Sequence, residues 1–164
     1  MRNLVLLSVL SLVLTSYAWC EVPTCMAKGQ VLENNNEQVL IWKKSTANQF
    51  LARGHVSGTV TQLFPDHSGH NHFEILIGTG PDDTLEVIYN QSFGKLPAIH
   101  LGMEVEACGD YITSTAQSGS YAPSPDGAII HWIHRNPSGH GHDSGYLAID
   151  GVTYGQGNGA GAFE

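Results

Sequence analysis

Between Phe50 and Tyr154 the chain alternates apolar and polar residues with a period of two, in short runs cut apart by turn residues. In extended backbone successive side chains point to opposite faces, so each run specifies a strand with one face for a core. Phe50, Ala52, Val56 and Val60 share the first core face, with Arg53, His55, Ser57 and Thr59 opposite. Gly54 and Gly58 fall on the apolar side, where a bend or the close approach of another backbone is expected. Pro65-Asp66-His67-Ser68-Gly69 then turns the chain. The second run sets Phe73, Ile75 and Ile77 against His72, Glu74 and Leu76, and the third alternates on Leu85, Val87 and Tyr89. The fourth sets Val105, Ala107 and Gly109 against Glu104, Glu106, Cys108 and Asp110. A mobile Ser/Gly/Pro-rich loop is expected over residues 113–127, then a fifth strand from Ala128 to His134, stopped by Pro137. Asp150-Gly151 marks a last short hairpin.

Five strands, with a longer link between the third and fourth, predict a mainly β fold. The expected architecture over residues 50–154 is a small five-stranded Greek-key, OB-like barrel, with a β-sandwich as the alternative. Residues 21–49 precede it as an N-terminal segment with a short helix opening at Asn34-Asn35-Asn36-Glu37. The Gly-rich residues 155–164 are predicted to be a disordered tail.

Residues 1–20 have the layout of a secretory signal peptide: Arg2, an apolar run from Leu4 to Leu14, then Thr15-Ser16-Tyr17-Ala18. That run is well short of the roughly 20 residues needed to cross a bilayer, and no later segment is more apolar. Cleavage is expected after Ala18 or after Cys20. Lipidation at Cys20 is disfavoured, because Trp19 and Tyr17 stand where a small and an aliphatic residue are required. An exported protein, periplasmic or secreted and without integral membrane association, is the expectation. Export also permits a disulfide. Cleavage after Cys20 leaves only Cys25 and Cys108, which then pair with each other.

With 15 Asp plus Glu against 7 Lys plus Arg, the formal net charge is −8, and more negative once Arg2 is removed. Phosphate backbones repel such a chain, which argues against nucleic acid as a partner. The 9 histidines outnumber Lys plus Arg, and all but His55 and His100 fall into two dense groups, His67/His70/His72 and His131/His134/His140/His142. On an extended segment His70, His72 and Glu74 share a face, and imidazoles so placed suit Zn or Cu. His131 and His134, three apart, reach one ion only if the strand breaks near Ile133. His67 and His140 sit in Gly/Ser-rich context and read as exposed loop histidines.

The run His131-Trp132-Ile133-His134-Arg135-Asn136-Pro137, then His142 before Gly145-Tyr146 and Gly151-Val152-Thr153-Tyr154, resembles a family of exported bacterial domains catalogued as domain of unknown function 3465. Gly58 to Val60, the turn at Asp66, His72 and the segment Gly102 to Tyr111 fit the same template, so the resemblance covers roughly Arg53 to Tyr154. Tyr89 and Asn136 stand where the family has His and Asp. The resemblance implies a small exported β domain, places His72, His131, His134 and His142 on family positions, and carries no activity.

The function expected first is binding of a divalent transition metal ion through His72, His131, His134 and His142, with His70 or Glu74 as a further ligand. A metal-dependent hydrolase comes second, with a bound ion activating water and Glu74 or Asp143 as base. A barrel module binding a small ligand, peptide or glycan through aromatic surfaces comes third. No nucleophile elbow, phosphate loop or dinucleotide fingerprint is present in the sequence, so whether the chain is an enzyme stays open at this level.

Overall fold

The computed structural model describes residues 22–157. The leader predicted over residues 1–20 and the end of the predicted tail lie outside them. Along the described residues come a small hairpin, β1 (Met26–Ala27) and β2 (Gln30–Val31), and one helix, α1 (Asn36–Ser45). Then follow β3 (Leu51–Leu63), β4 (His70–Leu76), β5 (Thr84–Asn90), a 3-10 turn (Gln91–Phe93), β6 (Glu104–Thr113) and β7 (Ala128–His131). The hairpin β8 (Tyr146–Ile149) and β9 (Val152–Tyr154) ends the sheet.

The strands run in the order β3-β4-β5-β7-β6, and β6 pairs back onto β3 from Thr59↔Glu104 to Leu51↔Ile112, which closes a five-stranded barrel. All neighbours are antiparallel except β5 and β7, which run parallel. This is the Greek-key, OB-like order expected from the sequence. Closure leaves no free edge between these five strands and buries the alternating positions Val56, Val60, Phe73, Ile75, Leu85 and Val87 in one core. Gly58 lies where two backbones approach: a Cβ there would stand 2.2 Å from the Leu76 carbonyl oxygen. The register slips between Val60 and Gln62, and that bulge lets β3 leave β6 and continue along β4.

Helix α1 belongs to the same core, since Val39 is fully buried in it. The asparagines at its start do not cap it. Asn35 Oδ1 accepts the His55 amide at 2.8 Å, and Asn36 exchanges bonds of 3.0 and 2.7 Å with the Ser57 backbone. They dock the helix onto β3. On its outer face β6 carries Cys108, bonded to Cys25, so the N-terminal segment lies where the outward position of Cys108 predicts. Cys25, Cys108 and Tyr146 form a second small core there, covered by Val22 and Leu32.

One expectation needs correction. The fifth strand stops at His131 rather than His134, because Trp132 takes φ 51°, a left-handed conformation that breaks the ladder. The loop after β6 is anchored, with the Thr115 and Ala116 amides on Asn48 Oδ1 and the Ser124 amide on the Ser114 carbonyl. The predicted tail begins with placed residues. Gly155 O accepts the Arg135 amide at 2.7 Å, Gln156 Nε2 donates to Gly145 O, and the Gly157 amide meets Phe93 O at 3.3 Å.

Gly145 explains how β8 reaches β6 beside the left-handed Trp132. A Cβ at Gly145 would lie 2.2 Å from Cys108 O and 2.5 Å from Trp132 O, both rigid backbone atoms. Gly145→Ala is therefore expected to destabilise the fold by about 2 kcal/mol, as overpacking does. Urea unfolding checks this, and an unchanged midpoint would show that the two backbones separate freely.

Candidate functional site

The histidines converge because of the barrel order. Antiparallel pairing sets His70 opposite Asn90, so the start of β4 meets the end of β5. The parallel register Val87↔Ile130 then brings the end of β7, and His131, to the same rim. The break at Trp132 turns the chain there, so His134 does not follow the line of the strand. The ring centroids of His70 and His131 are 5.5 Å apart, those of His70 and His72 6.4 Å, and those of His134 and His142 5.4 Å. Two imidazoles on one tetrahedral ion, with metal–nitrogen bonds of about 2.0–2.1 Å, have centroids roughly 5 Å apart.

The five predicted histidines share one hydrogen-bonding pattern. Nδ1–H of His70 donates to Ser68 O at 2.9 Å, that of His131 to Ile88 O at 3.0 Å and that of His134 to Arg135 O at 2.8 Å. His142 donates to Asp143 O at 2.9 Å, and His72 to the carboxylate of Glu86 at 2.7 Å. A carbonyl can only accept, so Nδ1 carries the proton and, in the neutral ring, Nε2 presents its lone pair. Among the described residues Nε2 of His72 is buried with no hydrogen-bond partner, although the residue is only 7% exposed. An orphaned buried acceptor costs roughly 1–3 kcal/mol, so its persistence calls for a reason. By contrast, His55 spends both nitrogens, on Leu32 O and on Glu106, and is structural.

Aromatic rings cover the cluster. His67 stacks on His72 at 4.1 Å, Phe93 on His134 at 3.6 Å and Trp132 on His142 at 5.5 Å. Burial pushes the His131 imidazolium down to about 4, with His70, His134 and His72 adding repulsion against the bond to Ile88 O. Burial likewise lowers His134, with His142 and His70 adding repulsion against the bond to Arg135 O. The two sequence groups therefore feel each other, and both imidazoles stay neutral at pH 7, the form that binds metal ions.

The predicted residues thus fall into a group of His70, His72 and His131 and a pair of His134 and His142. Glu74 shares the outer face of β4 but accepts a bond of 2.6 Å from Thr61 Oγ1, and no bond joins it to an imidazole among the described residues. No group of three His, Cys, Asp or Glu side chains among them is gathered closely enough to hold an ion as it stands. Glu86 was not singled out by sequence, and His67 was read as an exposed loop histidine. Glu86 left a signal, an acidic residue in the middle of an apolar strand, but its partner depends on the β4–β5 register.

The structure defines a small closed mixed β-barrel with a histidine-rich rim and the Cys25–Cys108 disulfide. Among the described residues no helix is long and apolar enough to cross a membrane. No family model, curated protein or solved structure matches the chain.

Proposed function

We propose that this protein, exported through its N-terminal leader, binds a divalent transition metal ion, Zn²⁺ or Cu²⁺, at the histidine rim. The observation that carries the reading is the set of five imidazoles whose Nδ1–H is fixed by a carbonyl or carboxylate while Nε2 is left as an acceptor. Metal-binding histidines have this arrangement, since the outer bond fixes the tautomer and raises ligand basicity. His70, His72 and His131 supply the inner ligands, with Glu86 orienting His72, and these rings must rearrange to bring three Nε2 atoms onto one ion. His134 and His142 form an outer arm. The His-Trp-x-His segment that carries the resemblance to domain of unknown function 3465 supplies ligands to both.

Calorimetric titration of the metal-free chain, without a His-tag, tests the reading. Micromolar or tighter Zn²⁺ or Cu²⁺ binding is expected. His131→Ala is expected to weaken it at least about 100-fold, nearly 3 kcal/mol, and Glu86→Gln about tenfold through the lost orienting bond. His100→Ala, at an exposed position away from the rim, should leave it unchanged. Millimolar affinity for both ions, or equal losses at His131 and His100, would return these histidines to a purely structural role.

A further inference from the structure

Arg53 sits on the outer face of β3 between the disulfide and the segment that carries His142. Its guanidinium donates from Nε to Met26 O at 3.1 Å, from Nη1 to the Asp110 carboxylate at 2.8 Å, and from Nη2 to Cys108 Sγ at 3.3 Å and to Ser144 O. The Arg53 and Asp110 side chains are 10% and 13% exposed. Asp110 is in register with His131 across β6 and β7. A second link runs from the hairpin: the Lys28 amide donates to Asp143 Oδ2 at 2.8 Å, and the Asp143 carbonyl holds Nδ1 of His142. The hairpin has only two residues in each strand, and Cys25 is its covalent tie to β6.

We infer that the disulfide-anchored hairpin and Arg53 are the positioning device for the His134–His142 arm, so that this arm is assembled only after Cys25 and Cys108 are oxidised. Disulfide formation removes two electrons and two protons from the thiols and passes them to an external disulfide or quinone oxidant of the export compartment. Without the bond nothing covalent holds Lys28 over Asp143. A Cys108 thiolate would also compete with Ser144 O for the guanidinium. The inference rests on the proposed metal site for its purpose, but its structural content does not.

Amide hydrogen exchange read on the full mature chain tests it. The reporters are the hydrogen-bonded amides of Arg135, Asn136 and Gly145, with β4 and β5 amides as the internal reference. Cys25→Ser/Cys108→Ser is expected to speed exchange at the reporters about tenfold more than at the reference. Asp143→Ala, which keeps the disulfide and removes only the hairpin's acceptor, should do the same to a smaller extent, so the test survives if the double variant fails to fold. Zn²⁺ affinity should fall about tenfold in both variants. Reporter exchange that stays in step with the reference in Asp143→Ala and in a folded double variant overturns the inference. Absence of Zn²⁺ binding in the oxidised parent chain would sink the metal reading and leave the exchange result to stand alone.

Discussion

Replacing both cysteines by serine is expected to lower the unfolding free energy by about 4–5 kcal/mol. The bond joins residues 83 apart in sequence, and closing a loop of that size removes roughly this much chain entropy from the unfolded state. Native-side effects act in the same direction. Both cysteines are buried, at 2% and 0% exposure, so each serine hydroxyl would enter an apolar cluster with Tyr146. Arg53 would lose its contact to sulfur while remaining tied to Asp110. A loss this large is a major share of the stability of a domain this size. Urea unfolding of the oxidised parent and the double variant at one pH measures it. A difference below about 1 kcal/mol would mean that the unfolded chain is already held together near Cys25 and Cys108, contrary to the loop-closure argument.

The barrel was legible because its signal is local. Period-two alternation in Phe73-Ile75-Ile77 and Leu85-Val87-Tyr89 assigns faces without any knowledge of the partner strand, and the structure keeps those faces. Cys108 was placed outside the barrel by the same rule. Other features depend on which strands become neighbours. The alliance of His72 with Glu86 needs the β4–β5 register, and the meeting of His70 with His131 needs the parallel step from β5 to β7. Trp132 was invisible for a different reason: nothing in a bulky aromatic residue announces a positive φ. Its conformation is imposed by tertiary packing, with Gly145 giving way beneath its carbonyl. Gly155 needed tertiary context too: it adopts φ 82° to pass the Ile133 carbonyl and pair with Arg135.

The metal-free protein should lose stability on acidification because of His131, in a way that comparison with His131→Asn isolates. Burial pushes the folded-state value of His131 down to about 4 from an ordinary 6.5. Between these two values the unfolded chain binds more protons than the folded one, so stability rises with pH there. The penalty is absent above about pH 6.5, grows as pH falls, and is complete near pH 4. A shift of this size corresponds to about 3 kcal/mol. His134, also lowered by burial, adds to the same slope. Asp126 opposes it. Burial and the neighbouring Glu74 raise its carboxyl to about 7 from 3.8, so the folded state holds a proton that the unfolded chain releases, and its contribution is lost as pH rises through the same window. The parent protein should therefore show a flatter profile than His131 alone dictates. Asn at position 131 keeps a donor for Ile88 O and cannot be protonated, so it removes one slope and leaves the other. The unfolding free energy of His131→Asn relative to the parent should improve by about 3 kcal/mol on going from pH 7 to pH 4, measured in chelator by urea unfolding. A constant difference across that range would show that His131 takes up its proton in the folded barrel as readily as in the open chain.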